Sequence, residues 1–197
     1  MAKENKKFIY GAIKEGSRAK EFELAIQWLV DAGLLHKIYA VTKAAKPIIS
    51  YEDFSAFKLY HNDLGLLGAM SKLKSQTLVD GDVVFEEFKG ALTEQYVFQQ
   101  LKLNEELSIN YFPFDYGRYE LDFIIENEEG ELIPVEVKAG DSLKAKSFKT
   151  FCEKHQPKTA IRSSLSNYRK ESWMTNVPLY FIGEYFNSIN FGDMLSE

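Results

Sequence analysis

Apolar residues recur at helical spacing in four parts of the chain, and stretches rich in β-branched and aromatic residues lie between them. The helical spacing predicts helices at 22–32, 64–73, 82–104 and 141–154, the first of which ends at Gly33. Candidate N-caps are Ser17, Asn62 or Asp63, and Asp141 or Ser142. The β-rich stretches predict strands at 34–41, 56–60, 108–114, 159–165 and 178–183, with a turn at Lys46-Pro47. A β-hairpin is predicted from Tyr119 to Gly140, with its turn at 127–130.

The order of these elements predicts an α/β (α+β) chain in two parts, which meet near Thr77–Gly81. Residues 1–76 are predicted to form a mostly helical region with helix, strand, turn and strand, which is compatible with a winged-helix-like module. Such modules often bind DNA, and a linking role is the alternative. Residues 77–197 follow the order helix, three strands, helix, strand. No internal repeat is present.

The predicted hairpin places several charges on one side of a two-stranded unit. Side chains alternate across a strand, so Glu136 and Lys138 share a face, as do Glu120 and Asp122 on the preceding strand. A hard cation such as Mg²⁺ prefers oxygen ligands and retains several waters. The hairpin is therefore a candidate Mg²⁺ or Mn²⁺ site, and a surface hairpin with solvated charges is the alternative.

Glu94 is anomalous in the long predicted helix. Its neighbours at helical spacing, which include Ala91, Val97 and Phe98, are small or apolar. A carboxylate on such a stripe is costly to bury unless a partner satisfies it. Glu94 is therefore predicted to join the charges of the hairpin, and the alternative is a side chain that reaches solvent at the edge of the stripe.

The net charge of −5 conceals an uneven distribution. Ten acidic residues and one basic residue (Arg118) lie between 105 and 136, whereas nine basic and two acidic residues lie between 138 and 170. An acidic hairpin beside a basic segment suits a metal site next to a phosphate-binding surface. The candidate nucleic-acid contacts on the following helix are Lys144, Lys146, Lys149 and Lys154, and a solvated basic face is the alternative.

The sequence disfavours a disulfide-linked protein, a membrane protein and a protein with a nucleotide-binding loop. The single cysteine, Cys152, permits no internal disulfide and is predicted to fill the core, which fits a reducing cytoplasmic environment. No apolar run approaches the roughly 20 residues that cross a bilayer, so no membrane association is expected. The glycine spacing of Gly11–Gly16 lacks the lysine of a nucleotide-binding loop.

The order of elements and the charges resemble the PD-(D/E)xK nuclease superfamily. The matching residues are Asp122, Glu136-Val137-Lys138 and, on the preceding helix, Glu94. The resemblance implies a restriction-endonuclease-like αβββαβ core, in which Asp122, Glu136 and Glu94 hold Mg²⁺ or Mn²⁺ and Lys138 acts as the water-orienting base. Glu120 would be an additional ligand or would disturb the metal geometry. A bound cation would reverse the local sign and admit an anionic phosphodiester.

A second resemblance extends over nearly the whole chain. It rests on motifs in a fixed order: Trp28-Leu-Val-Asp-Ala-Gly-Leu34, Phe57-Lys-Leu-Tyr60 with Asp63-Leu-Gly-Leu-Leu67, Glu94, Glu120-Leu-Asp-Phe123, and Pro134-Val-Glu-Val-Lys-Ala-Gly140. These motifs resemble the domain of unknown function that follows an AAA-type ATPase domain in many bacterial and archaeal proteins. The resemblance implies a C-terminal fragment whose partners are DNA and the ATPase domain of the longer protein. The expected function is metal-dependent phosphodiester hydrolysis, and the alternative is an inactive module that binds nucleic acid or protein, or regulates the ATPase.

Overall fold

A computed structural model describes residues 6–10, 19–72, 83–140 and 146–189. They form a mixed α/β fold with one large mixed sheet and five α-helices among these residues. The helices are α1 (Ala19–Asp31), α2 (Leu64–Met70), α3 (Val83–Lys102), α4 (Lys146–His155) and α5 (Ile182–Ile189). The strands are β1 (Leu35–Val41), β2 (Glu52–His61), β3 (Ser108–Phe114), β4 (Tyr119–Glu126), β5 (Leu132–Val137), β6 (Ile161–Ser164), β7 (Arg169–Lys170) and β8 (Thr175–Pro178). Short 3-10 helices occupy Ile48–Tyr51 and Leu179–Phe181.

The eight strands form a single sheet in the order β2-β1-β3-β4-β5-β6-β8-β7. Strand β1 pairs parallel with β3, and β6 pairs parallel with both β5 and β8, while the other neighbours are antiparallel. The sheet therefore includes strands from both predicted parts of the chain. The prediction that the first part is mostly helical holds only in part, because among its described residues β1 and β2 supply nearly as many strand residues as α1 and α2 supply helical ones. The predicted boundary at 77–81 lies outside the described residues.

Apolar side chains cover the sheet on both faces. Helices α3 and α5 contribute Val97, Phe98, Leu101 and Phe186 to one buried cluster, which also contains Phe123 and Val135 of the central strands. Helix α4 contributes Phe148, Phe151 and Cys152 to a second cluster with Leu121 and Ile124. Burial of these apolar surfaces supplies the main driving force for packing the helices on the sheet.

Most of the predicted elements are confirmed within a few residues. Strand β3 has the predicted bounds. Gly33 follows α1 with a φ of +69°. The Asp63 side chain caps α2 by accepting a hydrogen bond from the Leu66 N–H at 2.8 Å. The predicted strand at 178–183 is wrong. Its buried residue Ile182 lies one helical turn from Phe186, so the apolar spacing of this segment belongs to α5. Ser17, Asp141, Ser142 and Gly11–Gly16 lie outside the described residues.

Cys152 is buried, as predicted for a residue that fills the core. Burial, with smaller contributions from Glu136 and Glu153, raises the pKa of its thiol to about 12. The thiol therefore stays protonated near neutral pH and is a poor nucleophile. In the part of the chain that the structure covers, no helix is long and apolar enough to span a membrane.

Candidate functional site

The central hairpin opens at the position of its acidic residues. The pairing of β4 with β5 runs from Glu126–Leu132 to Phe123–Val135, and Asp122 and Glu136 are the next residues on their strands. Beyond the paired region, the Val137 N–H donates to Asp122 Oδ2 at 2.7 Å. A carboxylate thus occupies the place of a partner-strand carbonyl, which fixes the Asp122 side chain at the opening.

A cavity of about 730 Å³ lies at this opening. It is bordered by β4, β5, α3 and the beginning of α4, so elements from both faces of the sheet meet there. Its acidic lining residues are Glu94, Glu120, Asp122 and Glu136, and its basic lining residues are Lys6, Lys7, Arg118 and Lys138. The structure therefore brings together the four acidic residues and the lysine that the sequence identified.

Glu136 and Lys138 form an ion pair inside the cavity. Burial and the neighbouring Asp122 carboxylate raise the pKa of Glu136 to about 7, although Lys138 opposes this change. Burial on its own would lower the pKa of Lys138, but Glu136 and Asp122 raise it above its ordinary value. Lys138 is therefore an ammonium near neutral pH and brings positive charge to the cavity wall.

Glu94 is 7% exposed on α3 and joins the charges of the hairpin. Its Oε1 accepts a hydrogen bond from Lys58 Nζ at 3.1 Å and another from the Tyr60 hydroxyl. Burial raises the pKa of Glu94 to about 7, with Lys58 opposing the change and Asp122 adding to it. Two donors thus satisfy the carboxylate that was anomalous on an apolar helical stripe.

Lys58 is a residue beside the cavity for which the sequence predicted no role. Its Nζ lies 2.7 Å from Glu120 Oε1, in addition to its contact with Glu94, and its side chain is 1% exposed. The Tyr111 ring lies beneath it, with 5.0 Å between Nζ and the ring centroid. One signal was present in the sequence, because Lys58 alternates with the apolar residues Phe57 and Leu59 and shares its face with Tyr60.

The grouping of the carboxylate side chains indicates which of them could bind a divalent metal ion. Within the described ranges, no three His, Cys, Asp or Glu side chains are grouped closely enough to hold a metal ion together. Mg²⁺ commonly binds through one or two carboxylates and retains water. Asp122 and Glu136 fit that pattern, since both line the cavity and both directly follow the last paired residues of β4 and β5. The roles of Glu94 and Glu120 as ligands stay predictions, because both carboxylates contact Lys58.

The basic helix α4 begins beside the cavity, where Ser147 is part of the lining. Lys146, Lys149 and Lys154 are exposed on it, and Lys149 Nζ lies 3.9 Å from Glu153 on the next helical turn. Lys144 lies outside the described residues. The proposed nucleic-acid contacts stay predictions. The basic cavity residues Lys6, Lys7 and Arg118 were not among the predicted nucleic-acid contacts.

The raised pKa of Glu136 predicts how stability changes with pH in the metal-free protein. A carboxyl group with a raised pKa favours the folded state below about pH 4.5, and this contribution is lost as the pH rises through about 7. Glu136→Gln removes the buried charge, so we expect its unfolding free energy, relative to wild type, to increase from pH 5 to pH 8. The increase should be on the order of 2 kcal/mol, since one pKa unit corresponds to about 1.4 kcal/mol.

Urea unfolding with EDTA at both pH values measures this difference. Glu105→Gln is the matched control, because Glu105 is exposed. The control should stay within about 0.5 kcal/mol of wild type at both pH values. A difference between Glu136→Gln and wild type that is the same at pH 5 and pH 8 would contradict the prediction.

Two family models match the chain. Residues 89–182 match a domain of unknown function (DUF4143) that is commonly found after AAA ATPase domains, and residues 1–77 match a second domain of unknown function (DUF8612). No curated protein and no solved structure matches the chain. The first match covers the acidic cavity residues Glu94, Glu120, Asp122 and Glu136, and it agrees with the resemblance to a domain that follows an ATPase.

Proposed function

We propose that this chain carries a nuclease-like site that hydrolyses phosphodiester bonds of DNA with the help of one divalent metal ion. The observation that carries the proposal is the convergence of Asp122, Glu136 and Lys138 on one cavity where β4 and β5 separate. The order α3, β3, β4, β5, α4 and β6 supports the proposal of a restriction-endonuclease-like core. The match at 89–182 supports a location next to an ATPase domain, which would control access to DNA.

Each residue has a defined part in this proposal. Asp122 and Glu136 would hold Mg²⁺ or Mn²⁺, and Asp122 is already fixed by the Val137 N–H. The bound ion would stabilise negative charge on the phosphate oxygens. The Lys138 ammonium would orient the attacking water. A bond forms between the water oxygen and phosphorus, one ester P–O bond breaks, the water proton leaves to solvent, and the departing oxygen takes a proton from solvent.

Cleavage of supercoiled plasmid and of a labelled single strand, each with Mg²⁺ or Mn²⁺, tests the proposal. Lys138→Ala should lower the cleavage rate by about 100-fold, a typical contribution of one positioned catalytic group. Lys158→Ala is the matched control, because Lys158 is exposed and does not line the cavity. Circular dichroism of both variants checks that they are folded.

The cleavage pattern of the two variants distinguishes a nuclease site in this cavity from a contaminating nuclease and from an inactive protein. Cleavage that is lost in Lys138→Ala and retained in Lys158→Ala supports the proposal. Equal cleavage by wild type and Lys138→Ala would indicate a contaminant or a different site. No cleavage by wild type, either as this chain or together with the ATPase domain, would reject catalysis.

A second candidate is an inactive module that binds nucleic acid or a partner protein, or regulates the ATPase. The observation in its favour is that Glu94 and Glu120 both contact Lys58, so an internal cation is already paired with two of the four acidic lining residues. In this case Lys146, Lys149 and Lys154 on α4, together with a winged-helix-like N-terminal region, would make the contacts. Binding to DNA should weaken steeply with salt because phosphate contacts release counterions. A protein partner need not show that slope.

A further inference from the structure

The Lys58 side chain contacts two of the carboxylates that were predicted to surround a metal ion, Glu94 and Glu120. The Lys58 ammonium belongs to β2, near one edge of the sheet, yet its side chain is 1% exposed. Its Nζ lies 3.1 Å from Glu94 Oε1 and 2.7 Å from Glu120 Oε1. The charge of Asp122 also acts on it. Lysine is almost never fully buried without a partner, so these carboxylates account for its position.

Lys58 and the carboxylates depend on each other for burial. An ammonium or a carboxylate without a partner is costly to remove from water, and an ion pair reduces that cost only when its geometry is good. Here one ammonium contacts two carboxylates and an aromatic ring. The Lys58 ammonium therefore already supplies a positive charge next to Glu94, so this side of the cavity has a cation that belongs to the protein itself.

Lys58 contacts one oxygen of each carboxylate, Glu94 and Glu120, that a second metal ion on this side of the cavity would use. Glu94 Oε1 accepts hydrogen bonds from both Lys58 and Tyr60, and Tyr60 is fully buried. A divalent ion at this position would have to displace the Lys58 ammonium. Because the Lys58 side chain is only 1% exposed, the displaced ammonium would not reach solvent without a rearrangement of the residues around it. The Glu136 side of the cavity differs, because Lys138 is partly exposed and can turn away.

We propose that the Lys58 ammonium is a built-in cation that fills the position beside Glu94 and Glu120, so that the site binds one divalent ion at Asp122 and Glu136 and no second ion at Glu94. The binding of a divalent ion at Asp122 and Glu136 rests on the function proposed above. The position of Lys58 beside Glu94 and Glu120 is independent of that function.

The experiment is a Mn²⁺ titration followed by electron paramagnetic resonance on wild type, Lys58→Met and Lys37→Met. Wild type should bind one ion. Lys58→Met removes the charge and keeps a side chain of similar length, so it should bind one additional ion. Lys37→Met is the matched control, since the Lys37 side chain is only 8% exposed and pairs with a carboxylate, Glu23, outside the cavity lining. It should bind as wild type does, which separates a local effect from a change in net charge.

Each result supports or overturns the proposal. Two ions in wild type, or one ion of equal affinity in wild type and folded Lys58→Met, would overturn the role of Lys58. No ion in wild type and one in Lys58→Met would support that role and reject the divalent ion of the proposed function. No ion in any variant would overturn both.

A second measurement applies if Lys58→Met does not fold. Reductive methylation of wild-type lysines, read by mass spectrometry with and without 10-fold excess Mg²⁺ over protein, reports the exposure of each ammonium. Lys58 should remain unmodified in both conditions, while Lys149, which is exposed, reacts in both. Modification of Lys58 in either condition would show that the ammonium leaves its position, and would overturn the proposal.

Discussion

Asp122→Asn is expected to lower Mg²⁺-dependent cleavage by about 1,000-fold, which is the upper range for loss of one electrostatic group in an active site. The loss is expected because the substitution removes the negative charge that would hold the ion. The opening between β4 and β5 should retain its shape, since asparagine keeps an oxygen that can accept a hydrogen bond from the Val137 N–H. Mn²⁺ affinity should fall together with cleavage.

Plasmid cleavage and Mn²⁺ titration on the same preparations measure this result. Asp31→Asn is the matched control, because Asp31 at the end of α1 is exposed and accepts a hydrogen bond from Gln27, which asparagine can also accept. The control should cleave and bind as wild type does. Unchanged Mn²⁺ affinity in folded Asp122→Asn would remove Asp122 from the proposed ligands.

Phe98→Ala is expected to produce a large loss of stability, because Phe98 lies in the buried part of the helix that carries Glu94. Phe98 is 1% exposed, and its ring stacks on that of Tyr60 with 4.5 Å between centroids. Truncation leaves a cavity between α3 and β2, which should lower the unfolding free energy by about 3–5 kcal/mol. The melting temperature should fall by roughly 10 °C for a chain of this size.

Thermal unfolding and urea unfolding measure this loss. Phe54→Ala on β2 is the matched control, because Phe54 is 70% exposed. Its unfolding free energy should change by about 0.5 kcal/mol or less, as is usual for surface positions. Equal losses in Phe98→Ala and Phe54→Ala would contradict the assignment of Phe98 to the core between α3 and the sheet.

The sequence determined the elements whose signals are local. The alternation of residues 119–138 predicted β4, the turn and β5, and it placed Glu136 and Lys138 on one face. The helical spacing of 82–104 predicted α3 and made Glu94 stand out among apolar neighbours. These patterns repeat within one or two turns or strands, so they do not depend on what packs against them.

Only the tertiary structure decided which strands are neighbours and which charges are buried. Strand pairing joins β1 to β3 across more than 60 residues of chain, and no local pattern encodes that partner. The pairing brings Lys58 close to Glu94, which is 36 residues away, and to Glu120. A lysine in a strand is ordinarily solvated, so the burial of Lys58 became evident only with its distant carboxylates in place. The sequence by itself thus determined the acidic hairpin and its helix, whereas long-range packing decided that the cavity contains a cation of its own.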